Sequence, residues 1–286
     1  MAMSIRTNLA AISSINSLGS TQKSLSSSLE KISSGLRVNR AGDDAAGLGV
    51  ATRMETDNTS LKQAMRNTND GISLVQTAEG SIEQLTNILI RFRELSVQAS
   101  NETYTTTDRG MIGTEMTQLK NEYQRITTLA NFNEQSLLNG AGTYSIQVGI
   151  DGSSNDAIGI NMNNLATTLG ALTTLSTVFQ AVTTGGAAGA SSAAVATANL
   201  TRLDTAINAL STRRATLGSL QNRFENALAE SSTYSQNLSA AQSQILDVDY
   251  ASESANMTRY QIQSQAGVAA LAQAKAIPQS IISLLS

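Results

Sequence analysis

Residues 57–99 read DNTSLKQAMRNTNDGISLVQTAEGSIEQLTNILIRFRELSVQA. Within this stretch Leu61, Thr68, Val75, Ile82 and Leu89 recur at strict seven-residue intervals, joined by Met65, Ile72, Leu85 and Phe92. A seven-residue apolar repeat keeps one stripe of a helix turned toward a partner, so the spacing predicts a long helix packed along another helix.

Toward the C-terminus a loop over 101–107 separates this helix from a third one, which carries Ile112, Leu119 and Ile126 in one seam and Met116 and Tyr123 in another, with Asp108 as its cap. A loop that short predicts an antiparallel pair. Between 143 and 162 the period falls from about 3.5 to 2: Tyr144, Ile146, Val148 and Ile150 alternate with small or polar residues, and Ile158, Ile160 and Met162 do the same. A β-hairpin is expected there, turning through Asp-Gly-Ser-Ser-Asn-Asp. Residues 163–198 are Ala, Gly, Thr and Ser with few large anchors and read as a short variable surface insert. From 199 the heptad series returns in Leu203, Leu210, Leu217, Phe224, Leu238 and Ile245, broken only by Ser231.

The two ends carry weaker stripes. Ile5, Leu9, Ile12, Ile15, Leu18, Leu25, Leu29, Ile32 and Leu36 are spaced three, four or seven apart on a Ser-, Asn- and Gln-rich background. An Ala-rich segment, 251–276, carries Met257, Tyr260, Val268 and Leu271 and is expected to close at Pro278, the one proline. The first has little charge or propensity to be a stable lone helix, and pairing buries two weak stripes that neither end could bury alone, so each is expected to need the other. The resulting expectation is a mainly α chain: an elongated helical rod with paired terminal coiled-coil helices and a small β-hairpin. Its parts are a terminal assembly domain (1–42 with 247–286), a connector (43–56), and a helical rod domain (57–162 with 199–246) bearing the hairpin 143–162 and the insert 163–198.

Composition narrows function by exclusion. With no His and no Cys, Ser-His-Asp triads, Cys-His dyads, structural zinc sites and disulfides are impossible. Aromatics are 3% of the chain, so any core rests on aliphatic residues. The net charge of -3 provides no basic field for nucleic acid. No stretch is apolar enough for a membrane span, and the N-terminus lacks the apolar core of a cleaved signal peptide. Asp43 and Asp44 stand in a connector with Gly42, Gly47 and Gly49. Adjacent carboxylates point apart and no third ligand completes a metal or acid/base site, so they read as helix caps or as partners for Arg37 and Arg40. No catalytic residue, metal site or cofactor is expected, and the protein is not read as an enzyme.

At this point the chain resembles the bacterial flagellins, in a minimal form with the two inner domains only. Ser33-Ser-Gly-Leu-Arg-Val-Asn39 with Gly42-Asp-Asp-Ala-Ala-Gly47 is similar to the family's connector signature. Asn67-Thr-Asn-Asp-Gly-Ile72 and Arg93-Glu-Leu-Ser-Val-Gln98 resemble its long-helix signatures, and Phe132-Asn133, Leu137-Leu-Asn-Gly140 and Ile146-Gln-Val-Gly149 its passage into the hairpin. Asp247-Val-Asp-Tyr-Ala251, Asn256-Met-Thr-Arg259, Gln265-Ala-Gly267, Leu271-Ala-Gln-Ala274 and Pro278-Gln279 resemble its closing segment.

The resemblance implies a structural subunit of the helical flagellar filament used for motility, partnered by copies of itself in an open helical homopolymer. It further implies an export chaperone, cap and hook-associated proteins, and a location outside the cell or in a periplasmic flagellum. Arg91, Leu95 and Glu115 match positions through which some flagellins contact Toll-like receptor 5. The alternatives are a hook-filament junction protein and a secreted helical effector. The assembly interface is expected along Leu18, Leu25, Leu29, Ile32 and Leu36 on the first helix and Met257, Tyr260 and Leu271 on the last.

Overall fold

A computed structural model describes residues 8–139, 142–162 and 192–285, with side chains described over 200–276 in the last segment. Most of the insert read from the sequence, 163–191, lies outside the described residues. Five α-helices are present among the described residues: α1 (Leu9–Ser34), α2 (Ala45–Ala99), α3 (Thr106–Leu129), α4 (Ser192–Leu246) and α5 (Tyr250–Leu285). Two antiparallel strand pairs accompany them, β1 (Asn131–Phe132) with β2 (Gln135–Ser136) and β3 (Thr143–Gln147) with β4 (Ala157–Asn161). The fold is mainly α. The chain divides into two compact units, residues 59–235 and residues 1–58 with 236–286.

The unit 59–235 owns the core. The seven-residue series on α2 is buried at every step from Leu61 to Leu89, and α4 supplies Leu203, Leu210, Leu217 and Phe224, all buried. Each large apolar side chain taken fully out of water contributes about 1.5–3 kcal/mol, so this cluster is the main source of the unit's stability. α2 and α3 are antiparallel, since Arg109 near the start of α3 donates from Nε to the Ala99 carbonyl (3.2 Å) at the end of α2 and Arg91 pairs with Glu115 (2.7 Å) further along. α4 also runs antiparallel to α2, with Arg93 on Asp204 (2.7 Å) and Arg214 on Glu79 (3.5 Å). Gly71 makes this approach possible: a Cβ there would lie 3.1 Å from the Phe224 ring and 3.3 Å from Ile146 Cγ2.

The hairpin forms with Tyr144 opposite Ile160 and Ile146 opposite Ile158. Ile158, Ile160, Val148 and Met162 enter the core, as the alternation predicts. Its turn is tied by Asp156, whose Oδ2 accepts from Asp151 N, Ser153 N and Ser153 Oγ at 3.1–3.2 Å.

Several local expectations are corrected. The interval 43–56, read as connector, is helical from Ala45 onward. Asp44 accepts from Gly47 N (2.8 Å) and caps α2, so the glycines sit inside a helix that tertiary packing holds despite their low propensity. Asp43 accepts from the amides of Asn39 (3.2 Å) and Arg40 (3.0 Å), closing the turn before α2. Arg40 pairs instead with Glu30 (2.8 Å), and Arg37 donates to the Ile245 carbonyl (2.6 Å). α3 is capped by Thr105, with Asp108 returning a bond to the Thr105 amide in a capping box, so Asp108 sits one turn inside the helix. Helix α4 starts at Ser192, ahead of the expected 199, and α5 continues past Pro278 to Leu285. The β1–β2 pair was not anticipated. It turns on Asn133 (φ 48°) and Glu134 (φ 64°), two left-handed residues of which only the Asn is a common turn signal.

Candidate assembly face

The unit formed by residues 1–58 and 236–286 is built on α1 and α5, which pack against each other. Contacts fix the pair as antiparallel: Asn8 meets Ala274, Leu18 meets Gly267, Gln22 meets Ser264, and Gly35 lies beside the Tyr250 hydroxyl. Gly267 lets the helices approach closely there, since a Cβ would sit 3.2 Å from Leu18 Cδ1. α1 ends on Gly35 in the left-handed conformation (φ 75°), whose amide returns to the Lys31 carbonyl.

Beyond α1 the two connecting segments form one crossing. Leu36 and Asp247 make an antiparallel bridge, with Arg37 N on the Leu246 carbonyl (2.5 Å) and Val248 N on the Gly35 carbonyl (3.0 Å). Asp249 accepts from the amides of Ala251 (3.0 Å) and Ser252 (3.2 Å) and so starts α5. These bonds return each connector to the other, which holds the ends of α1 and α5 together although they are remote in sequence. The Arg40 and Asn39 amides hold the Asp43 carboxyl below its usual range.

Of the residues expected at the interface, Leu18, Leu25, Ile32 and Leu36 on and just beyond α1 and Met257, Tyr260 and Leu271 on α5 are half-buried, while Leu29 is 46% exposed. Around them Leu9 (76%), Ile12, Ile15, Ile262 (61%) and Val268 stand exposed. Among the described residues this unit buries only Ala11, Ser28, Val38 and Ala51. A two-helix pair covers only the narrow seam between its members, so most of both stripes is left facing outward.

Several hydroxyls of this unit are already satisfied by their own helices. Ser14, Thr21, Thr52, Thr56 and Thr258 each donate their hydroxyl to the carbonyl four residues earlier at 2.8–2.9 Å. A hydroxyl already bonded to its own helix leaves no orphan donor when its surface is covered, so these faces accept a neighbour at low polar cost.

The three residues matched to receptor contact separate. Arg91 and Glu115 are half-exposed and joined at 2.7 Å, and Arg91 also holds Glu94 at 2.9 Å. The hydrogen bonds that Arg91 donates to these carboxylates, Glu94 first, raise its pKa. Leu95 is 1% exposed and belongs to the core of the unit 59–235. No group of three or more acidic residues that could hold a metal occurs among the described residues, and none of the described helices is long and apolar enough to cross a membrane.

The family model for the bacterial flagellin N-terminal helical region matches residues 5–143, and that for the C-terminal helical region matches 200–285. A flagellin of Halalkalibacterium halodurans is 39% identical, with 99% of this chain covering 100% of that protein. This chain belongs to the bacterial flagellin family. A flagellar filament 33 kDa core protein of Treponema phagedenis is 38% identical over 99% of this chain and 100% of its own length. A solved structure described as a flagellar hook-associated protein of Vibrio parahaemolyticus is 14% identical and superposes over 72% of this chain and 100% of its own, with a TM-score of 0.63, a likeness of fold. The chain is accordingly a structural subunit of the flagellar filament, a family built on self-polymerisation.

Asn8 and Arg109 were not singled out from the sequence. Asn8, an Asn directly before the first periodic residue, carries a readable N-cap signal. The reach of Arg109 to the end of the preceding helix depends on the interhelix turn and leaves no sequence mark.

Proposed function

We propose that the uncovered faces of α1 and α5 are the surfaces through which each subunit is locked into its filament, with residues 1–42 and 247–286 as the assembly domain. The observation that carries this reading is the mismatch between stripe and cover: Leu9, Ile12, Ile15, Leu29, Ile262 and Val268 are exposed on a helix pair that encloses almost nothing of its own. Neighbouring copies supply the missing cover, and a contact between two different faces of the same chain propagates as an open helix. Ordering of the terminal pair is then coupled to polymerisation. Before assembly the same stripes are the natural holding surface for an export chaperone, and at the filament ends for cap and hook-associated proteins. A chain without cysteine and with a single proline meets no disulfide and almost no slow isomerisation when it folds after export to the outside of the cell.

Deleting the residues after Asp249 is expected to abolish filaments in electron micrographs while the remaining chain keeps the helical circular dichroism of α2–α4. Ordinary filaments from that truncation overturn the reading. A second reading rests on the exposed Arg91–Glu115 pair, which offers charge to a receptor of the Toll-like receptor 5 type, while Leu95 lies in the core of the same unit. An unchanged reporter-cell response on Arg91→Ala removes it.

A further inference from the structure

The ends of α1 and α5 meet at Asn8, whose side chain makes two bonds. Its Oδ1 accepts from Ala11 N (3.0 Å) and caps α1, while its Nδ2 donates to the Ala274 carbonyl (2.8 Å) on α5. The two partners fix the orientation of the amide, because an N–H must face oxygen and a carbonyl must face nitrogen. In a continuous helix the carbonyl of residue 274 takes the N–H of residue 278. Residue 278 is proline and has no N–H to give, yet α5 runs through it to Leu285. The carbonyl that loses its donor is the one that Asn8 reaches, and the compensation comes from the opposite end of the sequence.

We propose that Asn8 is a positioning residue matched to Pro278: its amide replaces the missing helix hydrogen, and the freed Ala274 carbonyl becomes a keyed acceptor that sets the register of the terminal helix pair. Apolar seams rich in Leu and Ala slide at little cost, because shifting by a heptad exchanges like for like. A single directional bond between two defined atoms does not tolerate such a shift. The pairing also makes the site specific to one end of the helix pair, since Pro278 is the only proline and therefore the only one that frees a helix carbonyl. In a subunit whose lattice contacts lie on these helices, a register error would propagate to every neighbour. That consequence rests on the assembly reading above, but the bond itself does not.

The test is a double-substitution cycle on the full chain, read by amide hydrogen exchange over residues 9–15 and 271–276 in wild-type and variant material, both as monomer and after seeding. Asn8→Asp and Asn8→Ser keep the cap oxygen and lose the amide donor. Each is expected to reduce protection over both segments about tenfold with Pro278 present. In the Pro278→Ala background, where the substituted residue supplies the helix hydrogen itself, the same changes at Asn8 are expected to alter protection less than about threefold. Equal losses in the two backgrounds, or no loss in the Pro278 background, overturn the proposal, as does a wild-type chain unprotected over both segments as monomer and after seeding alike. Failure of the wild type to form filaments counts against the assembly reading alone, because the cycle is still read on the monomer.

Discussion

The two units are written with the same heptad grammar and end in opposite conditions. Residues 59–235 turn Val75, Ile82 and Leu89 inward into one core with α4, α3 and the hairpin, so these stripes find cover on more than one side. Residues 1–58 and 236–286 have stripes of comparable regularity, yet two helices facing each other leave Leu9, Ile15, Leu29 and Ile262 in solvent. An apolar stripe states what a helix requires, and the number of neighbours within the chain decides whether the requirement is met. The terminal unit encloses almost no core, while the other encloses one of its own and is expected to be stable before assembly.

The comparison breaks most visibly with a pair of large-to-small substitutions. Phe224 is fully buried at the centre of its unit, so Phe224→Ala is expected to cost about 3–5 kcal/mol and to lower the melting temperature of unpolymerised subunit sharply. Leu25 on α1 is half-buried, so Leu25→Ala is expected to leave that melting transition in place and to act on the polymer instead, raising the critical concentration for growth about tenfold for each ~1.4 kcal/mol of lost lattice contact. Calorimetry of monomer and sedimentation of polymer check the two arms. Equal loss of monomer stability in both variants would show that the units do not differ as their burial indicates.

A smaller change sharpens the same contrast through glycine. Gly71 and Gly267 both sit on helices at a close approach, the first against the Phe224 ring at 3.1 Å, the second against Leu18 at 3.2 Å. In the packed unit the ring has nowhere to go, so Gly71→Ala is expected to cost about 1–3 kcal/mol of overpacking, partly offset by the roughly 1 kcal/mol that Ala gains over Gly in a helix. Beside Gly267 the obstacle is the end of a leucine in a half-open seam, which rotates aside, so Gly267→Ala is expected to be tolerated by the monomer. Chemical denaturation of the two variants distinguishes them.

How far the sequence alone carried these conclusions follows from the same physics. The α2 and α4 seams were legible because their period is regular over many turns and their burial follows it, down to Ser231, which breaks the series in chemistry and is still buried. The hairpin was legible because a period of 2 begins where the heptads stop. What was not legible depended on contacts remote in sequence. The glycines at 47 and 49 argued against helix, and only the Asp44 cap and packing of α2 overrule them. The continuation of α5 through Pro278 rested on a donor near the opposite end of the chain, which no local pattern records. The residues matched to receptor contact divided for a related reason: Arg91 and Glu115 stand at the surface, and only the packing of α2 places Leu95 in the core.

The smallest effect separates the units by acid. Asp43 in the connector and Asp108 in the α3 capping box are both exposed, and hydrogen bonds to Arg40 and Asn39 in one case and to Thr105 in the other lower their pKa values below the ordinary 3.8. A depressed carboxylate contributes stability that is fully present above its unfolded pKa and is lost as pH falls through the folded value, so both turns weaken below about pH 4 and neither responds to alkali. The readouts differ. Loss of the Asp108 bonds frays the first turn of a helix whose Ile112 and Met116 remain in the core, so acid is expected to raise exchange only near Thr105 and Asp108. Loss of the Asp43 bonds releases the amides of Asn39 and Arg40 in a segment with little core of its own. Opening there is expected to spread to the Leu36–Asp247 bridge. Asp43→Asn should make exchange at residues 36–40 fast and without the wild-type rise on acidification through about pH 4. The same profile as wild type would show that the connector is held by its backbone bridge alone.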